Sequence, residues 1–320
     1  MKRFAPLAAG LLAAGLAFAA QAQQYPTRPV KWIVPYPPAG TTDVLARIVA
    51  QYLSEKLGQQ FIVENKPGGG NNIGTETALR SPPDGYTMLL VNPANGINQT
   101  LYKNLNFSVI TDMQPVAGLI RSPNVMEVTN KFPAKTVQEF IDYCKANPGK
   151  INMASSGSGT SVHMSGELFM MMTGCKMTHI PYKGAGHALT DLIAGAVDVL
   201  FDNMPSSINH IRAGSIRAVA VTTAERSPAL PNIPTVGDTV KGYEASAWFG
   251  IGMPKGSPKE AVDRVNAAVQ EMFKDPKMRE KLADLGGVPL PGTPDDFGRV
   301  VKSEVEKWSK VVTASGAKVE

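Results

Sequence analysis

The sequence predicts an α/β fold from two observations: short apolar runs alternate with amphipathic stretches, and glycine- and proline-rich loops join them. The runs are rich in Val and Ile and occur at Val30–Pro35, Gln60–Glu64, Tyr86–Val91, Lys150–Ala154, Met177–Pro181 and Val197–Phe201. Each leads through its loop into a segment with helical spacing, at about 43–56, 72–80, 96–102, 161–173, 185–195 and 204–213. Strands that alternate with helices form βαβ units, so we expect mainly parallel sheets flanked by helices.

Two segments interrupt this alternation and are predicted to connect two lobes. They lie around Ile120–Thr129 and Val240–Gly250. The chain after the second segment has a helical pattern, so we expect it to pack back on the first sheet. The predicted domains are residues 24–123 plus 246–320 and residues 124–245. Two such lobes joined by two strands form a hinged clamshell that holds its ligand between them.

The composition fits a globular protein with two domains and argues against other classes. The chain has 320 residues, of which 43% are hydrophobic and 18% are charged. Domains of roughly 100–200 residues make two the expected number, and a membrane transporter would show several apolar runs of about 18 residues or more. The formal net charge is only +5 and no long basic run occurs. Nucleic acid is therefore not an expected partner.

The N-terminus has the pattern of a bacterial secretory signal peptide over residues 1–22. A basic start precedes an apolar stretch shorter than the roughly 20 residues of a membrane span, and a small-residue cleavage site follows. We expect cleavage after Ala22 and a mature protein that is soluble outside the cytoplasm. In such an oxidising compartment, Cys144 and Cys175 are expected to pair as one disulfide.

Glycine-rich loops follow several predicted strands and lead directly into predicted helices. Their motifs are PPAGTT, PGGGNN, SSGSGTS and YKGAG. Loops at the carboxyl ends of parallel strands line the crevice in which α/β sheets bind ligands. Glycine lets backbone N–H groups approach a ligand, and the first turn of a helix offers unpaired N–H groups at its positive end. These loops predict anion sites, most naturally for a carboxylate, that need no charged side chain.

The sequence contains no complete motif for a cofactor or a metal. Gly68, Gly70 and Gly74 come close to a dinucleotide-binding fingerprint, but the third glycine stands one place late. His163 and Glu167 have the spacing of two ligands on one helix face, yet no third ligand accompanies them. No cofactor and no metal are therefore expected.

A serine hydrolase is the alternative from a different class of protein. Ser158, His163 and either Asp202 or Asp191 belong to elements that converge on one crevice, but no G-x-S-x-G elbow surrounds the serine. In the other interpretation, the hydroxyl and backbone groups of this loop donate hydrogen bonds to a ligand. We favour that interpretation because one serine and one histidine specify little.

Long stretches around these loops match a known family in order through the mature chain. They are YPTRPVKWIVPYPPAGTTDVLARIVA, VENKPGGGNNIGTETALRSPPDGYTMLLVN, NPGKINMASSGSGTSVHMSGELF, HIPYKGAGHALTDLIAGAVDVLFDNMPSS and IRAVAVTTAERSPALPNIPTV. The sequence thus resembles the Bug family, the periplasmic receptors of tripartite tricarboxylate transporters. The resemblance implies a type II periplasmic-binding-protein clamshell, each lobe a mainly parallel sheet flanked by helices. It implies a non-enzymatic receptor that captures a small organic acid for membrane subunits.

The resemblance also implies which residues hold a ligand carboxylate. On one side these are Tyr36, Ala39, Gly40, Thr41, Thr42 and Asp43 of the first strand-to-helix loop, with Asn92 at a later strand end. The facing side consists of Ser155, Ser156, Gly157, Ser158, Gly159, Thr160, Ser161, His163, Tyr182, Lys183, Gly184 and Asp202. Gly40-Thr41 departs from the Gly-Gly of many relatives, and the threonine hydroxyl adds a donor or a helix cap. The sequence leaves open whether His187 and Trp248 contact the ligand.

The leading functional hypothesis is a monomeric periplasmic receptor that binds a small carboxylate and serves a tripartite transporter. A second hypothesis keeps the binding activity but makes the protein a ligand sensor for a signalling receptor. Lys183 is the one basic residue of the pocket loops, which favours one dominant carboxylate over a tricarboxylate that needs several cations. Dicarboxylates, amino acids and aromatic acids all remain open as ligands.

Overall fold

The computed structural model of the protein describes residues 25–315. The signal peptide predicted for residues 1–22 lies outside the described residues, as do residues 316–320. Within residues 25–315, no helix combines the length and the apolar character that a membrane crossing requires.

Strands and helices alternate along most of the described chain. The strands are β1 (Val30–Val34), β2 (Phe61–Asn65), β3 (Thr87–Val91), β4 (Met113–Val128), β5 (Ile151–Ser155), β6 (Met177–Pro181), β7 (Val199–Asn203), β8 (Arg217–Val221), β9 (Ser246–Pro254) and β10 (Val288–Pro289). The helices are α1 (Thr41–Leu57), α2 (Asn72–Leu79), α3 (Pro93–Leu101), α4 (Val137–Ala146), α5 (Ser161–Thr173), α6 (Ala185–Ala194), α7 (Met204–Arg212), α8 (Val236–Thr239), α9 (Lys259–Met272), α10 (Pro276–Asp284) and α11 (Pro294–Ser315). All six predicted strand-loop-helix units are present, with boundaries within three residues of those expected.

The strands form a mixed sheet that divides where β4 changes partners. Up to Pro123, β4 pairs antiparallel with β9, and from Asn124 onward it pairs antiparallel with β7 and β8. We call residues 25–123 and 246–315 lobe 1, and residues 124–245 lobe 2. In lobe 1, β1 pairs in parallel with β2 and β3, and in lobe 2, β5 pairs in parallel with β6 and β7.

The predicted connecting segments correspond to two strands. The first contains the second half of β4, a single strand of 16 residues, and the second leads into β9. The predicted domains, 24–123 plus 246–320 and 124–245, stay a prediction, because strand pairing does not show that the halves fold or move as units. One strand, β10, occurs in the C-terminal region where none is predicted, since two residues are too few to leave a pattern.

Helix α1 shows how the apolar pattern builds the core of lobe 1. Its buried side chains Leu45, Val49 and Leu53 follow at four-residue spacing and belong to the same core cluster as Trp32 of β1. Each such fully buried side chain contributes about 1.5–3 kcal/mol. The helix ends at Gly58, which has the left-handed conformation (φ 74°) that glycine adopts without steric cost. This packing holds the start of α1 at the carboxyl end of β1.

A group of packed aromatic side chains lies in the core of lobe 2. The ring of Phe169 in α5 lies 5.8 Å from that of Phe140 in α4 and 5.5 Å from that of Phe201 in β7, within the range of favourable aromatic contacts. The last helix, α11, contributes Trp308 to this core and Phe297 to a core cluster of lobe 1. Helix α11 therefore contacts both lobes.

The expected disulfide between Cys144 and Cys175 is not formed in the structure, where both residues are free, buried thiols. The interaction between the two thiols lowers the pKa of Cys175 and raises the pKa of Cys144. The thiols are therefore neighbours, one near the end of α4 and the other before β6, but no covalent bond joins them.

Candidate functional site

A cavity of about 300 Å³ lies between the lobes, where β1, β3, β5 and β7 end. The residues that line it are Tyr36, Pro37, Pro38, Ala39, Gly40, Thr41, Thr42, Asn92, Pro93, Ser156, Thr160, Ser161, Gly184, Ala185, Gly186, His187, Thr190, Asn203 and Phe249. Among these lining residues there is no Arg, Lys, Asp or Glu. The volume suits a small organic molecule, and the wall must bind it without a fixed side-chain charge.

Five helices begin at this cavity. The N-cap residues of α1, α3, α5, α6 and α7 all line it, and these are Gly40, Asn92, Thr160, Gly184 and Asn203. A helix N-terminus carries the equivalent of roughly half a positive charge and several unpaired N–H groups. Gly40 and Gly184 have no side chain with which to cap α1 and α6. These two helices, one from each lobe, therefore offer backbone donors to an anion.

The loop before α1 is shaped by the buried carboxylate of Asp43. Its Oδ2 accepts hydrogen bonds from the Ala39 N–H and from Arg47 Nε, both at 3.0 Å, and its Oδ1 accepts from Asn65 Nδ2 at 2.9 Å. Burial by itself raises the pKa of Asp43, but these hydrogen bonds outweigh burial and hold the pKa below its ordinary value. The bond to Ala39 secures a residue with a left-handed backbone (φ 71°) at the cavity wall.

Asn92, at the start of α3, carries a buried donor without a protein partner. Its Oδ1 accepts from the Ala94 N–H at 3.0 Å, and its own N–H donates to Asn95 Oδ1 at 2.8 Å. Asn92 is 3% exposed, and its Nδ2 has no hydrogen-bond partner among the described residues. A buried polar group left unpaired costs about 1–3 kcal/mol. Because Asn92 lines the cavity, an acceptor atom of a ligand can remove that cost.

Two stacked histidines support the serine/glycine loop from behind. Ser155 Oγ lies 2.6 Å from His179 Nε2, and the Gly159 N–H donates to His163 Nδ1 at 3.2 Å. The rings of His163 and His179 stack with their centroids 3.9 Å apart. Burial, followed by the neighbouring His163, lowers the pKa of His179 to about 3, so this ring is neutral at pH 7. The loop residues that reach the cavity are Ser156, Thr160 and Ser161.

The two walls of the cavity meet across the lobes at glycine positions. A Cβ on Gly184 of lobe 2 would lie 2.9 Å from Pro37 Cγ of lobe 1, closer than two carbon atoms tolerate. A Cβ on Gly40 would lie 3.9 Å from Ala185 Cβ, in ordinary van der Waals contact. The lobes are thus closed over the cavity, and glycine at position 184 permits that closure.

The PGGGNN loop contributes no residue to this cavity, contrary to expectation. Gly68, Gly69 and Gly70 all have positive φ, and a Cβ on Gly70 would lie 3.1 Å from the carbonyl oxygen of Ser158 in lobe 2. Asn98 Nδ2 donates to the Gly70 carbonyl at 2.8 Å. The glycines serve a left-handed backbone and a close contact between the lobes.

The structure divides the predicted ligand-binding residues into two groups. Those that line the cavity are Tyr36, Ala39, Gly40, Thr41, Thr42, Asn92, Ser156, Thr160, Ser161 and Gly184. Those that do not are Asp43, Ser155, Gly157, Ser158, Gly159, His163, Tyr182, Lys183 and Asp202. Several of the second group are engaged by protein partners: Tyr182, for example, donates its hydroxyl to Asp191 Oδ2 at 2.6 Å, and Asp202 lies buried with two serines. Lys183 is exposed to solvent at the surface of its loop.

Other residues that line the cavity were not predicted from the sequence. His187, which the sequence left open, lines the cavity, whereas Trp248 is fully buried with its ring 5.9 Å from that of Phe297. Its neighbour Phe249 lines the cavity instead, because successive strand residues face opposite sides. Asn203 could have been found from its position before a proline-containing first turn, which is typical of an N-cap.

The residues of the serine hydrolase hypothesis do not assemble into a triad. His163 Nδ1 accepts from the Gly159 N–H at 3.2 Å, and His163 Nε2 lies 3.3 Å from Glu167 Oε1. Both ring nitrogens are therefore engaged away from Ser158. The two candidate aspartates are engaged as well, Asp191 by a tyrosine and Asp202 by two serines.

The fold and this cavity define a two-lobed α/β solute-binding protein. The chain matches the profile of the tripartite tricarboxylate transporter family receptors over residues 45–317. It belongs to this family, whose members are periplasmic solute-binding receptors.

Individual relatives agree with that membership. BugT of Bordetella pertussis is 36% identical over 311 residues, which cover 96% of this chain and 95% of BugT. The structure of R. palustris Rpa4515 with adipate is 38% identical with a TM-score of 0.90 and covers 92% of this chain and 100% of that one. MatC (Rpa3494) from Rhodopseudomonas palustris with bound malate is 29% identical with a TM-score of 0.85, over 90% of this chain and all (100%) of MatC. The predicted α/β clamshell and the resemblance to the Bug family are confirmed.

Proposed function

We propose that this chain captures a small carboxylate in the cavity between its lobes and delivers it to the membrane subunits of a tripartite transporter. The neutral wall, with the N-termini of α1 and α6 on opposite sides, favours one carboxylate held by backbone N–H groups and hydroxyls. Rpa4515 with adipate and MatC with malate show that relatives hold small acids of this kind.

The unpaired amide of Asn92 is the observation that carries this proposal. Its oxygen is committed to capping α3, so the group that remains for a ligand is the Nδ2 donor. A donor requires an acceptor, and a carboxylate oxygen is the strongest acceptor that a small acid offers. The same amide would repel a ligand that presents only donors at this position.

Calorimetric titration of the mature chain tests the proposal. The protein, beginning after Ala22, is unfolded and refolded to remove bound ligand and is then titrated with adipate, malate and a panel of small monocarboxylic acids. We expect saturable binding of at least one acid and none of its neutral amide. A ligand at 100 times its Kd should also raise the unfolding free energy by about 2.7 kcal/mol. If an acid and its amide bind equally well, the cavity does not recognise the carboxylate and the proposal is wrong on that point.

Asn92→Asp is the sharpest variant for this site. Aspartate caps a helix as well as asparagine does, so α3 should still form, but the buried carboxylate should lower the melting temperature. Affinities are therefore compared at a temperature at which both proteins are folded. The new carboxylate replaces the donor and repels the ligand, so affinity for the acid should fall at least tenfold, or about 1.4 kcal/mol. Asn147→Asp is the matched control, because it makes the same charge change at a half-buried residue outside the cavity wall, whose side-chain amide donates to the Tyr143 carbonyl of its own helix.

Delivery to a transporter is tested in cells. A strain that lacks this chain should lose uptake of the labelled acid identified by titration. The wild-type chain and Asn147→Asp should restore uptake, whereas Asn92→Asp should not. Unchanged uptake in the deletion strain would separate binding from transport and favour the sensor hypothesis.

A further inference from the structure

A hydrogen-bonded pair of hydroxyl groups connects the lobes beside the cavity. Thr41 Oγ1, in lobe 1, donates to Ser206 Oγ, in lobe 2, at 3.0 Å. Thr41 is the first residue of α1, and Ser206 lies in the first turn of α7. The bond thus joins the N-terminal ends of two helices from opposite lobes. Ser206 is not among the residues that line the cavity, so its side chain can influence the ligand only indirectly, through Thr41 or through the arrangement of the lobes.

Ser206 is held in place by the buried carboxylate of Asp202. Asp202 is 1% exposed, and its Oδ2 accepts hydrogen bonds from Ser206 Oγ and, at 2.9 Å, from Ser207 Oγ. An ionised carboxylate only accepts hydrogen bonds, and a hydroxyl has one proton to donate. Asp202 Oδ2 and the Asn203 carbonyl oxygen, at 2.9 Å, both accept from Ser206 on the lobe 2 side, and the carboxylate is the stronger acceptor. Ser206 therefore directs its proton toward lobe 2 and presents a lone pair to Thr41. The row of bonds has one direction, from Thr41 through Ser206 to Asp202.

A second buried acid, Glu127 of β4, lies at the far end of this row. Ser207 Oγ is 2.9 Å from Glu127 Oε1 and 2.9 Å from Asp202 Oδ2. One hydroxyl proton cannot serve both contacts, so a proton on one of the carboxyl groups completes the row. Burial, with the charge of Asp202, raises the pKa of Glu127 well above its ordinary value, so Glu127 is the protonated member. Asp202 is thereby left as the ionised acceptor that Ser206 needs.

We propose that Thr41, Ser206 and Asp202 form an interlobe latch that favours the closed form before a ligand arrives. Thr41 and Ser206 make the contact between the lobes, and Asp202 is the positioning residue. One hydrogen bond of ordinary strength changes a two-state population by about fivefold. The consequence for ligand affinity rests on the proposed function, but the latch itself requires no ligand.

Small-angle X-ray scattering of the ligand-free mature protein tests the latch. Ser206→Ala should lower the ratio of closed to open molecules by about fivefold, seen as a larger radius of gyration. Ser303→Ala is the matched control, because Ser303 Oγ bonds to the carbonyl three residues earlier in a helix, as Ser206 Oγ does, but on an exposed surface. Ser206→Thr restores the hydroxyl and should restore the compact form. If Ser206→Ala scatters like wild type, the latch proposal is wrong.

Combined variants separate a latch from a general loosening of the fold. Because Thr41→Val and Ser206→Ala remove the two ends of one bond, the double variant should open no further than either single variant. Asp202→Asn should open the wild-type protein and add nothing in the Ser206→Ala background. Additive opening in either pair would contradict a shared action through Ser206. Thermal unfolding of each variant shows that the compared proteins are folded.

Measuring adipate binding tests the part of the latch proposal that depends on the proposed function. Ser206→Ala should release adipate, or whichever panel acid binds wild type best, about fivefold faster. The association rate should not fall, because more of the ligand-free molecules are open to admit the acid. If wild type binds none of the acids, the proposed function fails while the scattering result still decides the latch. If the acid binds and dissociates from Ser206→Ala at the wild-type rate, the latch has no role in capture and that part of the proposal is overturned.

Discussion

Asp43 shows that a residue can control the cavity without lining it. Its carboxylate binds the Ala39 N–H on one side and Asn65 of β2 on another, so it ties the cavity loop to the sheet. Arg47, one turn further along α1, completes the arrangement with a charge-assisted hydrogen bond. The sequence places Asp43 among the ligand contacts, whereas the structure makes it a support for the residues that are.

Asp43→Asn should destabilise the protein and weaken acid binding at pH 7. The amide keeps one acceptor but loses the charge, and a hydrogen bond to a charged group is worth about 1.5–3 kcal/mol. The folded-state pKa of Asp43 lies below its ordinary value. Its stabilising effect is therefore complete above the unfolded pKa and is lost as the pH falls through the folded value.

The measurement for Asp43 is thermal unfolding of wild type and variant from pH 7 down to the acid limit of the fold. The difference in melting temperature should be largest at pH 7 and should decrease as Asp43 of the wild-type protein becomes protonated. Asp142→Asn, at an exposed helix position, makes the same charge change and should show no such trend. A constant difference at all pH values would contradict the role of the charge.

At the scale of single elements, the position of α2 depends on a glycine. Gly74 is the third glycine of the incomplete dinucleotide-binding motif, but its role in the structure is packing. A Cβ on Gly74 would lie 2.5 Å from the carbonyl oxygen of Lys66 and 2.8 Å from Pro35 Cα. Both are backbone atoms, which cannot rotate away as a flexible side chain can. The absence of a side chain lets α2 lie directly against the end of β1.

Gly74→Ala should therefore lower stability by at least the 1–3 kcal/mol typical of overpacking, even though alanine favours a helix more than glycine does. Gly186→Ala, in the first turn of α6, is the contrasting helix variant, because a Cβ there meets nothing within 4 Å. We expect that variant to be as stable as wild type or slightly more stable. Denaturant unfolding of both variants measures the two effects. Equal stability of the two would show that α2 can shift at little cost.

At the scale of the whole molecule, two buried carboxyl groups connect stability to pH. Burial raises the pKa of Asp202 to about 6, and burial with the charge of Asp202 raises that of Glu127 well above its ordinary value. In both cases the folded-state pKa exceeds the unfolded value of about 4. The folded state then holds more protons than the unfolded state, so stability falls as the pH rises through this interval. The pair that orients the latch therefore lowers stability at neutral pH.

Glu127→Gln should remove part of this cost. Glutamine has nearly the same size, is neutral at every pH and can hydrogen-bond Ser207. The melting temperature of the variant relative to wild type should rise from pH 5 to pH 8, by about 2–4 °C for each kcal/mol recovered. Glu280→Gln, on an exposed face of α10, is the control. Its melting temperature should change with pH as that of the wild type does. A difference that shrinks with rising pH would mean that Glu127 is ionised in the folded protein.

The elements and their order could be predicted because their signals are local. β6 and α5 begin and end at the predicted residues, since alternation of apolar runs with helical spacing is written within each segment. The same holds for the loop chemistry: Gly40, Thr160 and Gly184 stand where a strand ends and a helix begins, and all three line the cavity. The family resemblance rests on these same stretches.

Only the tertiary structure decided which polar side chains face the cavity. Ser155, Asp43 and Asp202 turn away because their hydrogen-bond partners, among them His179, Asn65 and Ser206, come from other turns and strands. Asn203 and Phe249 contribute to the wall from β7 of lobe 2 and β9 of lobe 1. The sequence by itself determined the strands, the helices and the backbone donors, since these depend on neighbouring residues. The orientation of each side chain depends on whether a residue of another element satisfies its polar atoms. For Ser155, Asp43 and Asp202 the partners belong to the same lobe, so the orientation was settled when each lobe folded.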